Sequence, residues 1–245
     1  MTADLHPREI RPGLVVRGFE PPLRLADFRL VAFDMDSTLI AIECIDEIAA
    51  AAGRKAEVAA ITEAAMRGEL PDYAASLHAR LGLLQGVPVS ALQQVLDQRL
   101  RLNPGVEAFV AACRDAGLAT LLVSGGFTYF SEPVRQRLGI AFARSHVLDI
   151  QDGQLTGRLV PQAWGSVVDG AEKRRTLLEL ASLLGASPAQ CIAVGDGAND
   201  LPMMSAAGLS VAFHAKPAVR ERAMVAVNEG GLDRVLPLLG GVGPD

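Results

Sequence analysis

Hydrophobic residues along this chain fall into short apolar runs, separated by longer stretches in which apolar positions recur at helical spacing. The runs predict strands at 29–33, 118–123, about 145–149, 190–194, 208–212 and 224–227. Strands that alternate with helical segments are typical of a parallel sheet covered by helices. The pattern therefore predicts an α/β fold.

One connection in this pattern is too long for an ordinary crossover. Roughly residues 43–103 lie between the first two core strands, whereas a crossover usually needs far fewer residues. Tyr73, Leu77, Leu81 and Leu84 recur at helical spacing within it. We therefore predict an inserted helical cap that closes at 103–105, where the core resumes.

These boundaries divide the chain into three predicted parts. The parts are a lead-in at 1–28, an α/β core at 29–42 and 104–245, and the helical cap at 43–103. The lead-in contains four prolines and little periodicity, so we expect it to be irregular or partly extended. Asp152-Gly153 separates two strand-like runs within 148–160, which indicates a β-hairpin.

Composition and charge exclude several classes of function. The net charge is −5, and the longest basic cluster is residues 173–175, so nucleic acid is not an expected partner. No apolar run reaches the roughly 18–20 residues of a membrane span, and the first 25 residues lack a secretory pattern. Cys44, Cys113 and Cys191 are odd in number and widely spaced, which favours reduced, buried thiols in a cytoplasmic protein.

Polar turns follow three of the predicted strands. They are DMDST at 34–38, SGGF at 124–127 and GDGAND at 195–200. Ligands in open α/β sheets bind beyond the carboxyl ends of the strands, so we expect the three turns to converge on one crevice.

The first turn carries the most informative pair of residues. Side chains alternate along a strand, so Asp34 and Asp36 are expected to point the same way. Two neighbouring carboxylates repel each other and need a compensating cation. With a metal, one carboxylate can attack phosphorus while the other handles the proton, which is aspartyl-phosphate chemistry. Taken alone, the pair could also be a solvated acidic turn or a helix cap.

The order of the motifs extends this interpretation to the whole chain. DMDST, SGG, Lys173 and GDGAND follow the order of the four motifs of the haloacid dehalogenase superfamily. The stretches DMDSTLIAIECIDEIA (34–49), MRGEL with SLHAR (66–80) and GDGANDLPMMSAAGLSVAFHAKP (195–217) closely resemble the phosphoserine phosphatase family. The resemblance covers about residues 29–230. It implies a doubly wound, mainly parallel Rossmann-like sheet with an inserted helical cap.

The resemblance also implies roles for individual residues. Asp34 would be the nucleophile and Asp36 the general acid and base. The implied cofactor is Mg²⁺, held by Asp34, the backbone carbonyl of Asp36 and Asp196, with Asp200 as a ligand or in support. The residues implied to contact or support the phosphate are Ser124, Gly125, Gly126, Lys173 and Asn199.

Substrate choice is expected to reside in the cap. The resemblance implies that Glu43 pairs with an amino group and that Arg80 grips a carboxylate through two hydrogen bonds. Met66 and Tyr73 would line the apolar side of the pocket. Arg80 could instead be a surface arginine, and Met66 and Tyr73 could be core residues. This chain is one residue longer than the usual family stretch near 71–72, and Tyr73 stands where phenylalanine is common.

The implied activity is Mg²⁺-dependent hydrolysis of O-phospho-L-serine, the last step of serine biosynthesis. The expected partner is thus a small phosphorylated amino acid, with no nucleic acid or membrane partner, and the oligomeric state, monomer or homodimer, stays open. One alternative is a phosphotransferase, or a phosphatase for a related amino-alcohol phosphate. Another is a non-catalytic sensor of phosphorylated metabolites, which would have no need of a nucleophile.

Overall fold

One sheet runs through the part of the chain that the computed structural model describes, which is residues 6–67, 69–165 and 167–240. Among these residues nine strands pair: β1 Arg8–Arg11, β2 Leu14–Val16, β3 Leu30–Phe33, β4 Ala119–Phe127, β5 Phe142–Gln151, β6 Gln154–Val160, β7 Cys191–Gly195, β8 Leu209–Phe213 and β9 Val225–Val227. The α-helices are α1 Cys44–Ala51, α2 Lys55–Met66, α3 Tyr73–Leu83, α4 Val89–Gln98, α5 Val106–Asp115, α6 Thr128–Leu138, α7 Gly170–Leu183, α8 Leu201–Ala206 and α9 Pro217–Arg220. Short 3-10 helices span Leu25–Asp27, Pro188–Gln190, Ala198–Asp200 and Leu232–Leu239.

The strand order places β3 at the centre of a doubly wound sheet. The order is β1-β2-β9-β8-β7-β3-β4-β5-β6, and the six strands from β9 to β5 are parallel. Along the chain, β4 and β5 add to one side of β3, whereas β7, β8 and β9 add to the other. The predicted doubly wound, mainly parallel fold is therefore confirmed. In such sheets the ligand crevice lies at the strand ends where the order reverses, which here is the end of β3.

Both faces of the central strands are buried, which explains why their sequences are uniformly apolar. Val31 and Phe33 pack in one apolar cluster, and Leu30 and Ala32 pack in a second cluster on the opposite face. Strands covered on both faces by helices need apolar residues at every position instead of an alternating pattern. The prediction of β3, β7 and β8 depended on this feature.

At one edge of the sheet, strands form in the lead-in, which was predicted to be irregular or only partly extended. The lead-in contributes β1 and β2, and β2 pairs antiparallel with β9, with Val15 opposite Ala226. Four exposed or half-buried residues in β1 carry no apolar run, so their sequence gives no strand signal. At the other edge the predicted hairpin is confirmed, because β5 and β6 pair antiparallel through Asp152 and Gly153. Both turn residues have positive φ, as a tight two-residue hairpin requires.

Four helices, α1 to α4, lie between β3 and α5 and form the predicted helical insertion. The loop after α3 is fastened to the β5–β6 hairpin, where the N–H of Leu155 donates to the Val87 carbonyl at 2.8 Å and the N–H of Gly86 donates to the Leu155 carbonyl at 2.8 Å. The division into a lead-in, a core and a cap at the boundaries given above stays a prediction. No helix among the described residues is both long enough and apolar enough to cross a membrane.

Candidate active site

The DMDST turn places two carboxylates on one side of the chain. Asp34 and Asp36 both line a cavity at the end of β3, whereas Met35 between them is fully buried in the core. The N–H of Asp34 donates to the Val194 carbonyl at 3.0 Å, so strand pairing extends through Asp34. The N–H groups of residues 38–40 then donate to the Met35 carbonyl at 2.8–3.2 Å and close the turn. The predicted alternation of the side chains is therefore present.

Lys173 reaches this cavity floor from the first turn of α7. Asp169 caps the helix, because its side chain accepts the N–H of Glu172 at 2.8 Å. The Lys173 ammonium donates to Asp34 Oδ1 at 2.6 Å and to Asp200 Oδ1 at 2.7 Å. Lys173 is fully buried, so these two ion pairs lie in a region of low effective dielectric constant.

The GDGAND turn supplies one carboxylate that faces the cavity and one that lies beneath it. Asp200 Oδ2 accepts the N–H groups of Asp196 at 3.1 Å and Gly197 at 2.9 Å, while Lys173 occupies Oδ1. Both oxygens of Asp200 are thus engaged, which favours a supporting role over direct coordination. Asp196 lines the cavity and accepts a hydrogen bond from the Thr38 hydroxyl at 3.1 Å.

The arrangement of acids fits a divalent cation. Asp34, Asp196 and Asp200 each offer an oxygen, and these atoms lie within 4.8 Å of one another. Lys173 supplies one positive charge against three carboxylates, so the group is anionic. Buried like charges repel each other strongly, and carboxylate oxygens are the ligands that Mg²⁺ prefers. Asp36 Oδ1 is buried without a hydrogen-bond partner among the described residues, so this oxygen is available to a bound group.

Burial is the largest cause of the shifted acidities in the cluster. It raises the pKa of Asp36 to about 7, and it raises the pKa of Asp196 to about 6 with help from the Asp200 charge. Burial also raises the pKa of Asp34 above its usual range, with Asp200 adding to the effect and Lys173 opposing it. Burial lowers the pKa of Lys173, but Asp200 and Asp34 outweigh that effect and raise the pKa above its usual value.

The cap closes the cavity from above. The cavity has a volume of about 620 Å³, and Glu43, Tyr73 and Arg80 line it, as the sequence predicted. Glu43 Oε1 accepts the Ser37 hydroxyl at 2.7 Å. Arg80 Nε donates to the Ser76 carbonyl at 3.3 Å, and neither terminal guanidinium nitrogen has a partner among the described residues. A glutamate and an arginine with free donors therefore face the same space.

The remaining candidate residues divide into three groups. Ser124, Gly125, Gly126 and Asn199 line the cavity. Lys173 and Asp200 lie directly behind it, because Lys173 donates to Asp34 and also to Asp200. The side chain of Met66 lies outside the described residues, so its expected place in the pocket stays a prediction.

Residues 124–126, here called the SGG bulge, form an irregularity inside β4. The prediction that this strand ends at 123 is wrong, because β4 continues to Phe127. Val123 pairs with Arg144 and Phe127 pairs with His146, so four steps along β4 match two along β5. Two extra residues therefore loop out of the ladder at the cavity, as in a β-bulge.

Close packing favours glycine in the SGG bulge. A Cβ atom on Gly125 would lie 2.2 Å from the Tyr73 hydroxyl, and a Cβ atom on Gly126 would lie 2.9 Å from Met35 Cε. The bulge is therefore pressed between the cap and the DMDST turn. The space at Gly125 depends directly on the position of α3, because Tyr73 is the first residue of that helix.

Sequence reasoning missed some residues that organise the site. The Asn103 amide nitrogen donates to the carbonyls of residues 37, 38 and 40 at 2.9–3.1 Å and so braces the DMDST turn. Lys216 lines the cavity and its N–H donates to the Asp196 carbonyl at 3.2 Å. The Asn-Pro-Gly sequence signalled only the end of the cap, and nothing local to it indicates a brace more than 60 residues away.

Known proteins resemble the chain in sequence and in fold. Residues 28–208 match the model of the haloacid dehalogenase-like hydrolases. The chain is 65% identical over 235 residues to the phosphoserine phosphatase of Polaromonas sp. strain JS666, which covers 96% of this chain and 100% of that relative.

Solved structures agree with the sequence comparison. The unliganded probable phosphoserine phosphatase from Vibrio cholerae has a TM-score of 0.80 and 43% identity, and the match covers 92% of this chain and 68% of the other. A phospho-aspartyl intermediate analogue of phosphoserine phosphatase has a TM-score of 0.78 and 35% identity over 85% of this chain and 97% of the other. The chain therefore belongs to the phosphoserine phosphatase family of haloacid dehalogenase-like hydrolases.

Proposed function

We propose that this protein hydrolyses O-phospho-L-serine to L-serine and phosphate, with Mg²⁺ as cofactor and an aspartyl phosphate at Asp34 as intermediate. The observation that carries the proposal is the Asp34 carboxylate at the cavity floor, 2.6 Å from the Lys173 ammonium. The relatives named phosphoserine phosphatase support the substrate. The related phospho-aspartyl analogue supports the intermediate.

Asp34 suits the role of nucleophile because only one of its oxygens is engaged. Lys173 binds Oδ1, and no donor among the described residues reaches Oδ2. In the first step this free oxygen bonds to phosphorus as the bond from phosphorus to the serine oxygen breaks. In the second step a water oxygen attacks phosphorus and releases Asp34.

Asp36 suits the role of proton donor and acceptor. Its Oδ2 accepts the N–H of Cys44 at 3.3 Å, which leaves Oδ1 without a partner in the buried site. That oxygen delivers a proton to the departing serine oxygen and later takes one from the attacking water. The two carboxylates thus divide the covalent and the proton-transfer work.

The acid cluster would hold the metal ion. Asp34, Asp196 and the backbone carbonyl of Asp36 are the proposed ligands, and Asp200 supports them through the loop that it braces. When bound, Mg²⁺ would neutralise negative charge on the phosphate oxygens. Lys173 and the Ser124 hydroxyl would bind further phosphate oxygens.

The cap would select the amino-acid part of the substrate. Phosphoserine carries an ammonium group and a carboxylate in addition to its phosphate. The Glu43 carboxylate matches the ammonium, and the two unpartnered terminal nitrogens of Arg80 match the carboxylate. Tyr73 and Met66 would contact the apolar part of the substrate.

The proposal extends to the setting of the enzyme. Release of L-serine places the reaction at the end of a serine biosynthesis route. Cys44, Cys113 and Cys191 are free and buried, which supports a reducing, cytoplasmic location.

A panel of phosphate esters tests the proposed substrate. We expect kcat/KM for O-phospho-L-serine to exceed that for O-phosphothreonine, phosphoethanolamine and an aryl phosphate, and activity to require Mg²⁺. Arg80→Ala should lower kcat/KM for phosphoserine by more than for phosphoethanolamine, which has no carboxylate. Arg99→Ala is the matched control, because Arg99 is an exposed arginine that pairs with Glu47 and does not line the cavity.

Two results would contradict the proposal. A higher kcat/KM for phosphoethanolamine than for phosphoserine would reject the substrate. Equal effects of Arg80→Ala on both esters would reject the role of Arg80. Product analysis with added alcohols separates hydrolysis from phosphoryl transfer.

A further inference from the structure

His146 lies in β5 beside the SGG bulge, and both of its ring nitrogens form hydrogen bonds with backbone groups. It is 1% exposed. Nε2 lies 2.7 Å from the N–H of Val168, and Nδ1 lies 3.0 Å from the Gly125 carbonyl. Because a backbone N–H can only donate, Nε2 must be the unprotonated acceptor. Nδ1 therefore carries the proton and donates it to the Gly125 carbonyl, so the two bonds define one tautomer.

The bond to Gly125 compensates for the irregular ladder. Two extra residues in β4 leave backbone groups without partners in β5, and buried backbone groups need a partner. His146 Nδ1 is the hydrogen-bond partner of the Gly125 carbonyl. The N–H of the same peptide unit, on Gly126, donates to Ser124 Oγ at 2.9 Å. The ring thus fixes the peptide plane that holds Ser124 Oγ as an acceptor, which leaves the Ser124 hydroxyl hydrogen for the cavity.

The bond to Val168 reaches the other phosphate-binding element. Val168 is buried and directly precedes Asp169, the residue that caps α7. Lys173 extends from the first turn of that helix to Asp34. One imidazole therefore joins the SGG bulge to the start of the helix that carries Lys173.

We propose that His146 is a positioning residue that sets the SGG bulge and Lys173 at the spacing a phosphate group requires. The inference rests on the proposed phosphoryl chemistry, but not on phosphoserine as the particular substrate. Trp164 packs near the ring at 6.4 Å between centroids, and the charges of His78 and Lys173 disfavour a proton on both ring nitrogens.

Two amide substitutions separate the two hydrogen bonds. In His146→Asn the amide nitrogen takes the place of Nδ1, so the donor to Gly125 is kept. In His146→Gln the amide oxygen takes the place of Nε2, so the acceptor for Val168 is kept. His146→Ala removes both bonds. His214→Asn is the control, because His214 also binds a backbone carbonyl, that of Gly230, but does not line the cavity.

The readouts are the inhibition constant of orthophosphate and kcat/KM for phosphoserine and for an aryl phosphate. For His146→Ala we expect the inhibition constant of orthophosphate to rise, and kcat/KM for both esters to fall, by about 10- to 100-fold. This is the range that follows from small misplacement of binding groups. The loss should be equal for the two esters, because the shared phosphate is affected. His146→Asn and His146→Gln each keep one of the two bonds, so each should recover only part of the loss. The recovery should be larger for His146→Asn, even at equal melting temperatures, because its bond acts directly on the SGG bulge that lines the cavity.

Three results would overturn the inference. Orthophosphate inhibition within about twofold of wild type in His146→Ala would show no positioning effect. Equal losses in His146→Asn and His146→Gln that track their melting temperatures would show a purely structural residue. In wild-type protein, imidazole nitrogen chemical shifts that place the proton on Nε2 would reverse the assigned bonds.

The same measurements keep this inference separate from the proposed function. A wild-type enzyme that hydrolyses the aryl phosphate but not phosphoserine would reject the proposed substrate. The orthophosphate constants of the His146 variants would still decide the positioning role.

Discussion

Lys173→Met tests how much the buried Lys173 charge contributes to stability and to catalysis. Lys173 is fully buried between Asp34 and Asp200, and it donates to both at 2.6 and 2.7 Å. Methionine keeps the apolar stem but removes the ammonium. The substitution therefore leaves two carboxylates facing each other without a cation.

The magnitude follows from the way in which such a site can relax. A buried carboxylate without a partner can become protonated, and an aspartate in the unfolded chain titrates near 3.9. Each pKa unit corresponds to about 1.36 kcal/mol, so protonating one aspartate at pH 7 costs about 4 kcal/mol. Loss of one partner from a buried ion pair typically costs about 3–5 kcal/mol, which agrees. At about 2–4 °C per kcal/mol for a chain of this size, the melting temperature should fall by roughly 6–20 °C.

The pH dependence gives this prediction a specific signature. In the variant, the folded-state pKa of the protonated aspartate lies above its unfolded value, so the folded form gains stability as pH falls. The penalty should shrink from about 4 kcal/mol at pH 7 to about 1.5 kcal/mol at pH 5. The assay is urea unfolding of wild type and variant at both pH values, with metal chelated so that ion binding does not contribute.

A second substitution separates stability from catalysis. In Lys173→Met with Asp200→Asn, the asparagine oxygen can still accept the N–H groups that Asp200 Oδ2 accepts now, at 3.1 and 2.9 Å. We expect the double variant to recover about 1–3 kcal/mol of stability. Its kcat should stay low by about 100- to 1000-fold, since the positive charge at the phosphate is still absent.

Two outcomes would refute this reasoning. One is a decrease of less than about 1 kcal/mol in the free energy of unfolding of Lys173→Met at pH 7, which is no more than the loss of an exposed ion pair would cost. The other is full catalytic recovery in the double variant, which would show that Lys173 only balances Asp200.

Three further predictions follow from the site. Gly125→Ala should lower kcat/KM for every phosphate ester, because the added Cβ would lie 2.2 Å from the Tyr73 hydroxyl. Adding Tyr73→Phe should restore part of the loss, because the nearest ring atom is then Cζ at 3.3 Å. No effect of Gly125→Ala on kcat/KM would refute the close contact. Mg²⁺ at about 100 times its dissociation constant should raise the free energy of unfolding by about 2.7 kcal/mol. At the same Mg²⁺ concentration, the gain in stability should be smaller in Asp196→Asn. An equal gain in the variant would reject Asp196 as a ligand. Burial lowers the pKa of His146, so its contribution to stability is full above about 6.5 and is lost as pH falls. The stability of His146→Asn should therefore depend less on pH below about 6.5 than that of wild type, and parallel curves would contradict the buried neutral ring.

The sequence revealed the parts of the fold that local chemistry dictates. Residues 30–33 and 191–195 are apolar at every position because both faces of these strands are covered. Asp34 and Asp36 could be placed side by side because strand alternation continues through the DMDST turn. Asp152-Gly153 predicted the hairpin because few other residue pairs adopt its backbone conformation.

The sequence did not reveal features that depend on distant pairing. β1 forms from three exposed charged residues and the half-buried Ile10, and it is held by β2, which in turn pairs with β9 at the other end of the chain. The SGG bulge resembles an ordinary turn, so the extra residues inside β4 were not foreseen. His146 has no metal-ligand spacing, and its partners lie 21 and 22 residues away in sequence, so nothing local indicates its role.

The central claim is that Asp34 carries the phosphoryl group during turnover. The most direct measurement is peptide mass spectrometry of enzyme that is quenched with acid while it turns over O-phospho-L-serine, with Asp34→Asn protein treated in parallel. The account predicts a phosphoryl adduct on the peptide that contains Asp34 and neither adduct nor turnover in the variant. A phosphoryl adduct on another residue, or sustained turnover by pure Asp34→Asn protein, would contradict it.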